Sequence, residues 1–150
     1  MALEMARILC PVDFSPCARG ALELAVELAA RLGASVDVLH VWEPVRYAAP
    51  EPLVPGPIEG DRVRFEGQRD LDALVAFARE RAAAVPVRGR LETGDARDTI
   101  LRLAEGEPYD LIVMGTHGWT GIAHLLMGSV AENVVRRARC PVLSVRAARA

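Results

Sequence analysis

Lysine is absent from this sequence: all eighteen basic residues are arginine. That absence removes several functions together. A Walker-type phosphate loop and a protein kinase each need a lysine amine on the phosphates, and a Schiff-base enzyme needs one as its nucleophile. Aromatic residues are scarce, at 5%. An interior of Ala, Val, Leu and Ile suits helices packed on a sheet better than a sandwich rich in Tyr and Trp. Cys10, Cys17 and Cys140 show no metal-site spacing, and an odd count without an export signal reads as reduced, buried thiols. His40, His117 and His124 lie in no HxxxH or Cys/His pattern, so no metal held by protein alone is expected. No apolar run approaches the ~18 residues of a membrane span. The opening Met1–Met5 carries Glu4 and lacks the apolar stretch of a signal peptide. A cytoplasmic protein with no membrane partner is expected. The formal charge of −2 gives no basic footprint for nucleic acid.

What is present is alternation. A chain of 150 residues fits one domain, and short apolar runs alternate with stretches of helical period, without internal repeats. Arg7–Val12 reads as a first strand. Ser15-Pro16 follows as a helix cap with proline at the first helical position. Leu22, Ala25, Val26, Ala29 and Leu32 then recur at helical spacing, with Arg19, Glu23, Glu27 and Arg31 as an i,i+4 row opposite. Gly33 ends this helix as a left-handed cap. Ser35–Val41 is the second strand. Residues 42–60 carry Pro44, Pro50, Pro52, Pro55 and Pro57, too much proline for regular structure, and read as a loop: a lid, an interface arm or a mobile connection. A helix over Asp61–Ala84 buries Val63, Leu71, Leu74, Val75 and Ala78. Val87–Glu92 is the third strand, and Asp95 caps a helix running through Glu105. Tyr109–Met114 reads as the most buried strand, because Leu111-Ile112-Val113-Met114 does not alternate. A glycine-bearing connection, Gly115–Gly128, leads to a last helix, Ser129–Arg139. Pro141–Val145 is the fifth strand, and Arg146–Ala150 a short tail. One residue resists: Pro11 lacks the N–H that a central strand uses.

Alternating βα units joined by right-handed crossovers give an α/β fold, a single-domain, open, Rossmann-like parallel sheet of five strands with helices on both faces. Such sheets bind ligands beyond the carboxyl ends of their strands, where the winding reverses. With strand order 3-2-1-4-5 that point lies between the first and fourth strands. Asp13 then stands on one side of a crevice and Gly115 on the other, with Val41 close by. Glycines let backbone amides approach an anion. The start of the last helix, at Gly128-Ser129, offers unpaired N–H groups and a favourable dipole. The Ser129 hydroxyl adds a donor or a Mg²⁺ ligand. A plainer alternative stands beside this one: Gly115 and Gly118 turn the chain, and Ser129 caps a helix. Asp13 either binds a ligand, accepts amides at the start of the first helix, or does both.

The spacing Gly115-x2-Gly118-x9-Gly128-Ser129 resembles the nucleotide-binding signature of the universal stress protein family. Pro11-Val12-Asp13-Phe14-Ser15, Thr93-Gly94-Asp95 and Arg139-Cys140-Pro141-Val142 extend the resemblance over nearly the whole chain. It implies the ATP-binding branch, since the other branch lacks the signature. By position, it implies that Pro11, Asp13 and Val41 lie near adenine and ribose, and that Met114 and Gly115 line the nucleoside side. His117, Gly118, Gly128, Ser129 and Val130 would surround the phosphates. The implied ligand is ATP, or ADP or AMP, with Mg²⁺ reached through the phosphates and Ser129. On the residues alone, Val41 reads equally as core and His117 as a surface turn, and Trp119 takes no role.

The resulting expectation is a regulatory protein that holds ATP and changes shape or partners. Hydrolysis needs a group to orient water and positive charge on the transferring phosphoryl. Beyond Asp13 and His117 no base stands out, and no arginine falls within Gly115–Ser129. Slow ATP hydrolysis is therefore the most that is expected, and no catalytic residue is assigned. The other alternative is a dimerising module whose nucleotide is mainly structural. Val142-Leu143-Ser144-Val145 would be an apolar sheet edge unguarded until Arg146, which invites pairing with a second copy; the family resemblance implies the same homodimer. Glu92-Thr93-Gly94 and the missing lysine exclude a receiver domain. Asp13-Phe14-Ser15-Pro16 and the few aromatics exclude a flavodoxin, and no His-Ile-Gly-His motif of the related ATP-using ligases occurs.

Overall fold

The computed structural model describes residues 4–44, 57–118 and 127–146, with residues 57–59 by backbone only. Strands and helices alternate as β1 (Arg7–Pro11), α1 (Pro16–Leu32), β2 (Ser35–Trp42), α2 (Pro57–Arg81), β3 (Val87–Thr93), α3 (Ala96–Gly106), β4 (Leu111–Gly115), α4 (Ser129–Arg137) and β5 (Val142–Val145). All pairings are parallel, in the order β3-β2-β1-β4-β5. The expected α/β architecture and strand order are both present. Most of the Pro-rich stretch, Trp119 with the residues after it up to 126, and the tail 147–150 lie outside the described residues. No helix among the described residues is long and apolar enough to cross a membrane.

Pro11 fits its strand for a geometric reason. The Val12 N–H donates to the Leu39 carbonyl at 2.8 Å, so the nitrogen of Pro11 points to the opposite side, toward β4. There the ladder has already ended, at Leu9↔Ile112. No hydrogen bond is lost.

The helix α1 follows its sequence pattern closely. Ser15 is the N-cap, accepting the Ala18 N–H at 3.2 Å, and Gly33 closes the helix at φ 69°. Leu22, Ala25, Val26 and Ala29 are buried as expected, joined by Cys17, Ala18 and Ala21, whereas Leu32 is exposed. The outer row forms the pairs Arg19–Glu23 at 4.0 Å and Glu27–Arg31 at 2.8 Å. Ser15→Ala should lower stability by about 1 kcal/mol, read as a shift in the urea midpoint; an unchanged midpoint would show that the cap bond is replaced.

Several boundaries move. Trp42 continues β2, pairing with Thr93 of β3, and α2 starts at Pro57 rather than Asp61. Proline is well suited to a first helical turn, where its missing N–H has no acceptor to serve. The expected contact of Val63 is not made: it is 48% exposed, and burial in α2 begins at Leu71 and continues through Val75 and Ala78. The apolar period runs along the helix beyond the point where it meets the sheet. Tyr109 precedes β4 instead of starting it, and α4 stops at Arg137 instead of Arg139.

Alternation along the strands sorts side chains into two unlike faces. Ile8, Cys10, Val36, Val38, Val87, Leu111 and Val113 pack under α1 and α2. Burial there pushes the Cys10 thiol up to about 12, so it stays protonated. On the other face Leu9, Leu39, Ile112 and Met114 meet Ile100 and Leu103 of α3 and Val134 of α4. This second cover stops short of β3, whose Arg88, Arg90 and Glu92 form a charged ladder. Buried Asp37 anchors it. Its carboxylate accepts from Arg7 Nη2 at 2.8 Å, from Arg88 Nε and Nη2 at 3.1 and 2.7 Å, and from the Tyr109 hydroxyl at 2.5 Å. Arg90 then bridges Glu107 at 2.7 Å and Glu92 at 3.1 Å. Burial raises the Asp37 carboxyl, but the hydrogen bonds from Arg88, Tyr109 and Arg7 outweigh it and hold the pKa below its ordinary value. Burial and the bond to Asp37 push the Tyr109 phenol up to about 12.

Candidate functional site

The crevice forms where the crossovers part, between β1 and β4. On the β1 side the chain leaves the sheet through Val12-Asp13-Phe14-Ser15. Asp13 Oδ1 accepts the Ser15 N–H at 3.0 Å, so the carboxylate does shape the start of α1. Phe14 sits at φ 63°, and among the described residues it is the one non-glycine residue with positive φ. A bulky side chain in that region is a strained arrangement, costing on the order of 1–3 kcal/mol.

On the β4 side, Gly115 ends the strand against α1. A Cβ there would lie 2.9 Å from Cys17 Sγ and 3.1 Å from the Cys17 carbonyl carbon. Close helix packing thus gives Gly115 a reason of its own. The Thr116 N–H donates to the Val145 carbonyl at 2.9 Å, and the Thr116 carbonyl takes the Gly128 N–H at 2.5 Å. The first ties the end of β4 to β5, and the second draws the two ends of the turn together. The Thr116 hydroxyl and His117 Nδ1 lie 2.9 Å apart. Gly118 comes to rest against Asp13: a Cβ on Gly118 would overlap the Asp13 carboxylate. The two lips of the crevice meet at this pair.

Ser129 departs from the plainer reading. Gly128 is the N-cap of α4 and makes no side-chain capping bond, so Ser129 is the first helical residue, with its hydroxyl serving no cap.

Between the lips lies a cavity of about 290 Å³, close to the lower end of the roughly 300–1,000 Å³ common for small-molecule sites. All ten residues singled out from the sequence line it. Pro11, Asp13 and Val41 come from the β1 and β2 ends. Met114, Gly115, His117 and Gly118 come from β4 and its turn, and Gly128, Ser129 and Val130 from the start of α4. Val41 and Val130 also pack on the core under α3 and α4, so Val41 is at once a core residue and a wall of the cavity. The cavity has further walls that the sequence did not disclose, among them His40, Thr116, and Ala96 at the start of α3. His40 alternates away from Val41, and only the folded turn brings it back to the crevice. No arginine lines the cavity among the described residues. Its described lining includes the imidazole-bearing His40 and His117, the hydroxyl-bearing Thr116 and Ser129, Asp13, and the first residues of α3 and α4.

The sequence profile of the universal stress protein family matches residues 5–146. The chain belongs to that family. A universal stress protein of Thermus aquaticus is 37% identical over 140 residues, covering 93% of this chain and 97% of its own. Among solved structures, the universal stress protein UspA of Lactobacillus plantarum superposes with a TM-score of 0.82 at 28% identity, over 97% of this chain and all of its own. A universal stress protein solved in complex with cAMP is similar at 26% identity and a TM-score of 0.69, over 97% of this chain and all of its own. The family match spans each wall of the cavity, from Pro11 to Val130.

Proposed function

We propose that this universal stress protein is a regulatory binding protein that holds an adenine nucleotide in the crevice between β1 and β4. The observation that carries this reading is the meeting of Asp13 and Gly118 across the mouth of the cavity. A turn without a side chain there leaves backbone amides free to reach a phosphate, which a Cβ would prevent. In this reading adenine and ribose lie against Pro11, Asp13, Val41, Met114 and Gly115. The phosphates rest on His117, Gly118, Gly128, Ser129 and Val130, where the α4 amides and dipole favour negative charge. The relative bound to cAMP supports an adenine nucleotide as the ligand class. With ATP, Mg²⁺ would sit chiefly on phosphate oxygens, with the Ser129 hydroxyl as its protein ligand.

Binding is favoured over turnover by the lack of a guanidinium or lysine among the described residues of the cavity wall. Such a group usually stabilises the charge that develops in phosphoryl transfer. Leu143 on the β5 edge, 36% exposed, supports a homodimer pairing through Val142, Leu143, Ser144 and Val145. Sedimentation should give a dimer, and a monomer at every micromolar concentration would refute that pairing.

Gentle purification followed by acid extraction should release an adenine nucleotide. Thermal unfolding in ATP, ADP, AMP and cAMP, with and without Mg²⁺, extends this test. Ligand at 100 times its Kd should add roughly 2.7 kcal/mol of stability. For a domain of this size each kcal/mol raises Tm by about 2–4 °C. No shift with any of the four, and none released, would overturn the nucleotide reading.

A further inference from the structure

We propose that His40 is a positioning residue for the crevice, acting as a latch on the strained turn that carries Asp13. This rests on the nucleotide reading of the cavity and names a part of the site outside the family's glycine signature.

Val12 is held from both ends of its peptide. Its N–H donates to the Leu39 carbonyl at 2.8 Å, and its carbonyl lies 2.9 Å from His40 Nδ1. A carbonyl only accepts, so Nδ1 carries the proton and donates. Two residues later Phe14 takes its left-handed conformation, and its ring lies over the same imidazole, with centroids 4.4 Å apart. His40 therefore grips the turn two residues before the strained residue and at that residue itself. Asp13 stands between those two grips. Relaxing Phe14 to an ordinary φ would redirect the peptide joining it to Asp13 and carry the carboxylate away from Ser15 and Gly118. The imidazole faces α2 at Gly67, where an added Cβ would come within 3.6 Å of His40 Cδ2, so the ring lies between the turn and that helix. A strained φ persists only where its surroundings hold it, and His40 supplies that hold.

The test separates strain from simple packing. His40→Ala is made in three backgrounds: unaltered, Phe14→Ala and Phe14→Gly. Alanine removes the ring but keeps the unfavourable positive φ, whereas glycine removes both. AMP affinity is measured by calorimetry and stability by the urea midpoint. The latch predicts that His40→Ala weakens AMP binding about tenfold in the unaltered and Phe14→Ala backgrounds, and less than about twofold in Phe14→Gly. His40→Asn, whose amide N–H reaches the Val12 carbonyl, should restore most of the loss. Equal losses in all three backgrounds would overturn the proposal, since direct ligand contact or general packing predicts them. Small losses in both the Ala and Gly backgrounds would overturn it too, leaving only the ring contact. If the unaltered chain binds no AMP, the nucleotide reading fails. The latch is then decided by the urea midpoints, which should fall with His40→Ala in the first two backgrounds and stay level in the third.

Discussion

Asp37→Ala should destabilise the fold by about 1–3 kcal/mol, the cost of leaving a buried hydrogen-bonding group without its partner. The Asp37 carboxylate takes four hydrogen bonds, two from Arg88 and one each from Arg7 and Tyr109. Its removal leaves the Tyr109 hydroxyl and two guanidinium groups facing each other without their shared acceptor. The urea midpoint measures the loss, and a change under about 1 kcal/mol, the worth of an exposed pair, would contradict the account. The pH dependence follows with a definite sign. The folded carboxyl titrates below its ordinary value, so its contribution is fully present above the unfolded pKa of about 3.9 and is lost as pH falls through the folded value. The stability gap between the native chain and Asp37→Asn should therefore be constant from neutral pH down to about 5 and close in more acid solution.

Gly118→Val should abolish nucleotide binding while the fold survives. The substituent would occupy the position now held by the Asp13 carboxylate, pushing Asp13 outward and filling the approach to the turn amides. Gly118 is exposed, and the positive-φ glycines among the described residues are Gly33 and Gly94. A side chain at 118 is thus not strained by its own backbone. AMP affinity should drop by at least two orders of magnitude, about 2.7 kcal/mol, with Tm in the absence of ligand within a few degrees of the parent. Undiminished AMP binding would remove the phosphates from this turn.

The features legible in the sequence were those decided by neighbours along the chain. The spacing of Leu22, Ala25, Val26 and Ala29 sufficed for α1, and Ser15 and Asp95 marked their helices by local hydrogen bonds. Alternation made the parallel sheet legible, and the order 3-2-1-4-5, taken as a premise to locate the crevice, is the order present. The glycine spacing and the family resemblance named ten residues that line one cavity. What escaped was decided by register and by where elements end. Asp37 looked like one polar residue in an apolar strand, because its partners lie 30, 51 and 72 positions away. Val63 keeps the period of its helix in the turns that precede the buried stretch, which begins at Leu71. The role of Ser129 turned on a single residue of helix boundary, with Gly128 taking the cap. His40 became visible only once Val12 and Phe14 had folded over it.

The charged ladder on β3 also determines what this surface refuses. A neighbour laid flat over the uncovered half of the sheet would have to strip water from Arg7, Arg90, Glu92 and Glu107, whose charges are already matched by one another. Removing such ions from water is costed at several kcal/mol each, and an apolar visitor offers nothing in exchange. Two copies stacked on these faces would also bring like arrays of guanidinium groups together. Among the described residues, the ladder thus leaves part of one side of the sheet uncovered without making it adhesive there.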